Sequence, residues 1–337
     1  MFFSFFKKIS GDIAIDLGTA NTLIYVTNKG IMINEPSIVS KSVATNKIIA
    51  VGNEAKAMLG RTNPNVTTIR PLKDGVIADF EMTDGMLRGF IKKMGLSRFS
   101  RPRMVICIPS GITEVEKRAV RDSAEQSNAR QVLLVEEPVA AAIGMGIDIS
   151  KPIGNMIVDI GGGTTEIAVI ALNGVVSKES IRMAGDKMNN DIIQYFRKKY
   201  NLLIGEKTAE DIKISAGSVS KNKRKIITIK GRNLVYGIPK TVEVSSSEIA
   251  ESLEQGVMII INGIKKTLEK TPPELSTDIL DRGIILTGGG ALLDGLDKLI
   301  SKETGLPVHV AENPLLTVVQ GTGKVLENVK LYQDIIV

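Results

Sequence analysis

Apolar and polar positions along this 337-residue chain follow two periods. Short apolar runs rich in isoleucine and valine mark strands, and longer stretches with apolar residues three and four apart mark helices. Ile13 to Leu17, Thr22 to Val26 and Gly30 to Asn34 predict a strand meander. Met104 to Ile108 predicts another strand. The helix after it should begin at Thr113, because Glu116 stands three residues on, in capping-box spacing. Val132 to Val135 reads as a strand, and Pro138 opens a helix of small residues through Ala140, Ala141 and Ala142. Such alternation of strands and helices predicts the α/β class.

The pattern then restarts. Asn155 to Ile160, Thr164 to Leu172 and Val175 to Met183 predict a second meander. Ile13 to Thr19 and Ile157 to Thr164 resemble each other, and their aspartates, Asp16 and Asp159, lie 143 residues apart. A repeat at that spacing suggests two related α/β halves, 1–150 and 151–337. Each carries an insertion, about 35–75 in the first and about 184–248 in the second. The second should hold helices near Asn189 to Lys199 and Thr208 to Ala216, then a hairpin. A long helix from about Glu248 to Lys270 follows, then the strand Gly283 to Leu286, Gly288-Gly289-Gly290, and a helix starting near Ala291.

Composition changes this picture little. The charged fraction, 24%, is ordinary for a folded chain. A net charge of +6 favours anionic partners. The densest basic run, Lys221 to Lys225, has no interleaved aromatics and reads as a solvated hairpin turn rather than a base-stacking surface. One cysteine, Cys107, in an apolar run, and one histidine, His309, argue against a Cys/His zinc site, a histidine-dependent triad and disulfides. No apolar run approaches the roughly 20 residues of a membrane span. At the N-terminus, Phe2, Phe5, Phe6 and Ile9 share one helical face, flanked by Phe3, with Lys7 and Lys8 on the other side. Two readings stand: a helix lying in the membrane interface, or a terminus docked on the protein's own surface.

Candidate chemistry sits in the turns. Asp16-Leu17-Gly18-Thr19 occupies a hairpin turn, where glycine admits close approach and successive amides form an anion nest. The amides of Thr19, Ala20 and Asn21 can face phosphate oxygens while Asp16 holds Mg²⁺ through water. The second copy, Asp159 through Gly161-Gly162-Gly163 to Thr164, makes a two-sided phosphate clamp. No P-loop signature and no kinase catalytic loop are present. Glu136-Glu137-Pro138 ends a strand and opens a helix. Its carboxylate either orients an attacking water or complements the helix dipole. Gly288-Gly289-Gly290 either lets an adenine approach the backbone or is an ordinary βα turn. Glu210 and Lys213 share a helical face, and either hold a ribose and base or pair with each other.

Together, the two Asp-Gly hairpins, Glu137-Pro138 and the late Gly-Gly-Gly resemble the actin, heat-shock-70 and sugar-kinase superfamily. Within it the chain resembles the MreB family of bacterial actins. The match runs through Asp16 to Thr22, Asn34-Glu35-Pro36-Ser37, Arg70-Pro71, Gly75 to Phe80 and Asp159 to Glu166. It continues through Ile204-Gly205-Glu206, Gly231 to Leu234, Pro272 to Leu275 and Leu286 to Gly290, and so spans nearly the whole sequence.

That resemblance implies an actin-like (ribonuclease H-like) fold of duplicated domains, with four subdomains around a central ATP cleft. It implies Glu137 and Thr164 positioning the hydrolytic water, and Asp16 and Asp159 managing Mg²⁺. Glu210, Asp211, Ile212, Lys213, Gly288, Gly289, Gly290, Ala291 and Leu292 would hold the adenosine. Membrane contact would fall to the N-terminal helix and to the loop carrying Met94, Leu96 and Phe99. Partners would be further copies in paired protofilaments, the anionic inner face of the cell membrane, and the wall-elongation proteins MreC, MreD and RodZ. No nucleic acid partner is implied, and the location would be cytoplasmic and peripheral to the membrane. One departure stands out: the family's Gly-Gly-Asp reads Ala184-Gly185-Asp186 here, which is expected to alter affinity or turnover. Two rival readings lack support. A small-molecule kinase would need a base and a substrate pocket, for which no motif is found. A chaperone-type ATPase would need a substrate-binding domain after the nucleotide domain.

Overall fold

The computed structural model describes residues 11–95, 101–220 and 225–337. The first half opens with β1 (Ile13–Leu17), β2 (Asn21–Val26) and β3 (Gly30–Pro36). Then come β4 (Val39–Ser42), β5 (Ile48–Val51), α1 (Asn53–Met58), β6 (Val66–Ile69), β7 (Leu72–Lys73) and β8 (Val76–Ile77). It continues with α2 (Phe80–Lys93), β9 (Arg103–Ile108), α3 (Glu114–Gln126), β10 (Gln131–Glu136) and α4 (Glu137–Gly144).

The second half runs β11 (Asn155–Ile160), β12 (Thr165–Ala171), β13 (Gly174–Ile181), α5 (Gly185–Tyr200), β14 (Leu202–Leu203) and α6 (Glu206–Ala216). It closes with β15 (Ile226–Asn233), β16 (Pro239–Ser245), α7 (Ser246–Glu269), α8 (Pro273–Arg282), β17 (Ile284–Thr287), α9 (Leu296–Thr304), β18 (Val308–Val310) and α10 (Thr317–Glu327).

Two five-stranded sheets repeat one strand order, β3-β2-β1-β9-β10 and β13-β12-β11-β17-β18. In each, an antiparallel meander comes first, and two later strands add parallel to its opening strand. β11 and β12 are buried along their whole length, which is why they read as continuous apolar runs rather than alternating ones. Two three-stranded sheets, β5-β4-β6 and β14-β15-β16, lie within the inserted stretches.

Helices α4 and α10 fill the space between the large sheets. Residues 138 to 143 of α4 are all buried, as expected of a helix apolar on every side. Its partner α10 lies so close that a Cβ on Gly321 would collide with the Ala140 carbonyl, and one on Gly144 with the Thr317 carbonyl. Only glycine allows this backbone contact. A shared apolar cluster joins Ala14, Val105, Val139, Ile157, Ala168 and Val325, so the halves pack as one body.

Two sequence expectations need correction. The helix expected from near Ala291 begins at Leu296; Gly289–Leu292 forms a 3₁₀ turn instead. The helix expected near Asn189 begins earlier, at Gly185, because its first amides find partners in another turn. Thr113 does cap α3, in a full capping box with Glu116. Cys107 is buried, and His309 lies in β18.

Candidate functional site

The carboxyl ends of β1, β10, β11 and β17 converge on one cavity of about 740 Å³. This is where ligands bind in α/β sheets, since the loops there open toward the crevice. Asp16 sits near the end of β1 and Asp159 near the end of β11. Their hairpin turns meet face to face. A Cβ on Gly162 would come within 2.6 Å of Ala20 Cβ, and one on Gly163 within 2.7 Å of the Gly75 amide nitrogen. Glycine is therefore required where the two turns touch.

Each turn is held from behind. Ser37 Oγ donates to the Gly18 carbonyl at 2.6 Å, and the Ser37 amide donates to the Ala20 carbonyl at 3.0 Å. The second turn closes on itself, Gly161 N–H to Thr164 O at 2.9 Å. Gly185 and Asp186, in the first turn of α5, donate their amides to the Gly161 and Gly162 carbonyls at 3.1 and 2.8 Å. Lys213 Nζ then donates to the Gly185 carbonyl at 2.8 Å. A third segment joins them: the Gly75 amide donates to Thr19 Oγ1 at 3.0 Å.

Three carboxyl groups crowd the floor: Asp16, Asp159 and, at the start of α4, Glu137. Burial pushes Asp16 up to about 6, against a lowering hydrogen bond from Cys107. Burial, then Asp16 and Glu166, push Asp159 up to about 8. Glu137 rises well above the usual carboxylate range through burial, then Glu166, Asp159 and Asp16. Cys107 Sγ donates to Asp16 Oδ1 at 3.4 Å, and burial and that aspartate push the thiol up. A site with such mutual repulsion favours a cation. Hard carboxylate oxygens suit Mg²⁺, whereas the thiol does not. Among the described residues, Asp16, Cys107 and Glu137 bring ligand atoms within 4.8 Å of one another, and the two carboxylates of that set offer oxygens of the kind Mg²⁺ takes.

The sequence matches the MreB/Mbl protein family over residues 10–334. The chain belongs to the MreB/Mbl family. It is similar to the cell shape-determining protein Mbl of Bacillus subtilis (strain 168), 54% identical over 319 residues, covering 94% of this chain and 96% of that protein. It is also similar to the cell shape-determining protein MreB of Escherichia coli (strain K12), 51% identical over 330 residues, covering 96% and 95%. Among solved structures it resembles MreB 5 of Spiroplasma citri bound to AMPPNP, with a TM-score of 0.91, 38% identity and coverage of 96% and 98%. The MreB/Mbl chain thus has the actin-like, ribonuclease H-like fold that its sequence implied.

Most of the expected site residues of this MreB/Mbl chain lie on the cavity wall. Gly18, Thr19, Ala20, Asn21, Gly161, Gly162, Gly163 and Thr164 supply the facing turns. Glu210, Lys213, Gly288, Gly289, Gly290 and Leu292 line the other end. Three expected residues do not line it. Asp211 is exposed, while Ile212 and Ala291 are buried in the core of the second half. On α6 the wall takes Glu210 and then resumes at Lys213, one turn later, so the helix turns Asp211 and Ile212 away from it.

Glu210 and Lys213 do not pair with each other: Glu210 meets Lys56 of α1 at 3.0 Å. Sequence reading missed Gly75, Lys56 and Met188, which also line the cavity. Gly75 acts through its backbone, so only its place in a Lys-Asp-Gly-Val turn marks it. Ala184 is buried and off the wall, in extended backbone at φ −157°. Met94 is buried in the first core. Phe2, Phe3, Phe5, Phe6, Ile9, Leu96, Phe99 and residues 221–224 of the basic run lie outside the described residues.

Proposed function

We propose that this chain binds and hydrolyses ATP in the central cleft and polymerises into membrane-associated filaments. These filaments direct cell-wall synthesis and elongation and so maintain rod shape. The observation carrying this reading is the pair of glycine turns meeting over three crowded carboxyl groups. Membership of a family that includes cell shape-determining proteins supports it, as does AMPPNP in the Spiroplasma citri relative.

In this reading the amides of Thr19, Ala20, Asn21 and Gly161 to Gly163 bind the phosphate oxygens. Glu210, Lys213 and the 288–292 turn hold the adenosine. Asp16 and Asp159 hold Mg²⁺, which when bound neutralises charge on the phosphate chain. Glu137 and Thr164 orient a water toward the γ-phosphorus. That water's oxygen bonds to phosphorus, the bond to the bridging β–γ oxygen breaks, and Glu137 takes the proton. The products are ADP and inorganic phosphate.

Filaments are homopolymeric, with paired protofilaments. The chain is cytoplasmic and lies on the anionic inner face of the cell membrane through Phe2, Phe3, Phe5, Phe6 and Ile9, with Leu96 and Phe99 as a second contact. MreC, MreD and RodZ are its wall-elongation partners, and it has no nucleic acid partner. Among the described residues no helix is long and apolar enough to cross a membrane.

Electron microscopy of the purified chain with ATP on anionic liposomes tests this. Paired protofilaments on the lipid are expected. Persistent monomers that phosphorylate a sugar would overturn the reading. Deleting residues 1–9 should weaken liposome co-sedimentation, and unchanged binding would remove the N-terminal anchor.

A further inference from the structure

Glu166 is a fully buried carboxylate that does not line the cavity. It stands in the middle of a rung across three strands, opposite Asp159 on β11 and Ser180 on β13. Its Oε1 accepts the Ser180 hydroxyl at 2.6 Å. Its Oε2 accepts two donors from the first half, the Ser110 amide at 3.0 Å and the Ser110 hydroxyl at 2.5 Å. Three donors converge on it, an arrangement suited to an ionised carboxylate, which only accepts. Burying such a group is costly unless it is hydrogen-bonded in this way. The cost falls at a junction between the halves.

The surroundings show what that junction holds. Ser110 follows β9, and Gly111 lies so close to Ser180 that an added Cβ would come 2.7 Å from the Ser180 Cβ. Pro109, just before, abuts Gly75: a Cβ on Gly75 would meet Pro109 Cγ at 3.0 Å and Thr164 Cγ2 at 2.8 Å. The loop 109–111 therefore backs the segment that binds Thr19 and touches Thr164.

We propose that Glu166 is a positioning residue for ATP cleavage, a brace that fixes the 109–111 loop of the first half against β12 and β13 and thereby sets the two phosphate turns against each other. This inference rests on the ATPase reading above.

Hydrogen exchange on the full chain reads the brace directly. The Ser110 amide should be protected in the wild type, with and without AMPPNP, and lose protection in Glu166→Ala. Should Glu166→Ala fail to fold, Ser180→Ala, which removes one donor, should show the same loss in weaker form. In ATPase assays Glu166→Gln should lower kcat by on the order of 10²-fold, as misplacement of a reacting group does. KM for ATP should change less than about threefold. Unchanged Ser110 exchange in the folded variants would overturn the brace. Wild-type kcat in Glu166→Gln would overturn the positioning role. A wild type that does not hydrolyse ATP would overturn the ATPase reading and the positioning role with it, while the exchange data would still decide the brace.

Discussion

Lys56 Nζ lies 3.0 Å from Glu210 Oε2, so an ion pair joins α1 of the first half to α6 of the second across the cavity. Arg70 and Glu206 make a second such tie at 2.7 Å. In the proposed function Glu210 must turn from Lys56 to a ribose hydroxyl. Glu210→Ala should then weaken ATP binding by about tenfold or more, the range for a hydrogen bond to a charged group. Lys56→Ala removes a partly exposed pair and should change affinity less than about fivefold. Displacement of a fluorescent ATP analogue measures both, and equal losses would count against Glu210 as a nucleotide ligand.

The raised carboxyl groups make empty-cleft stability depend on pH. Asp159 is pushed from 3.8 to about 8 and Asp16 from 3.8 to about 6. Between those limits the folded chain holds more protons than the unfolded one, so its stability falls as pH rises. Thermal melts without nucleotide should show the midpoint dropping from about pH 5 to pH 8. Asp159→Asn should flatten that slope and lose the extra stabilisation by Mg²⁺ with nucleotide. A slope unchanged in Asp159→Asn would mean that this aspartate does not carry the effect.

Gly321→Ala tests the contact between α4 and α10. The added methyl meets the Ala140 carbonyl, so the helices must separate. A cost of about 1–3 kcal/mol is expected from such overpacking. Urea denaturation measures it, and a neutral result would show that the interface relaxes freely.

The sequence suggested that Ala184 would disturb nucleotide binding. In the structure its methyl is buried off the cavity wall, and its backbone is extended and unstrained. Ala184→Gly should therefore leave ATP affinity and turnover within about twofold, with a stability change of about 1 kcal/mol or less from the lost buried carbon. Isothermal titration and phosphate release check this together, and a large change in either would restore the sequence expectation.

Much of this site was legible because its signals are local. Asp16 to Thr19 and Asp159 to Thr164 carry their turn chemistry in consecutive residues, and both hairpins lie where the strand pattern put them. Thr113 and Glu116 fixed the start of α3 for the same reason. Contacts made at long range left no such mark. Lys56 reads as an ordinary surface lysine until α1 is brought opposite α6. Gly75 contributes an amide, which every residue but proline has. Asp211 and Ile212 entered as part of a continuous run, although a helix turns such neighbours away from a shared face. Helix α2 was not anticipated from the sequence, although Asp79, its N-cap, accepts the Met82 amide at 3.0 Å.

In the proposed function Glu137 drives ATP cleavage over a cleft that binds nucleotide without it. Single-turnover phosphate release from wild type and Glu137→Ala, each saturated with Mg·ATP, tests it most directly. Unchanged ATP affinity is expected in Glu137→Ala, with phosphate release slower by on the order of 10²-fold or more. Wild-type release from Glu137→Ala would contradict it.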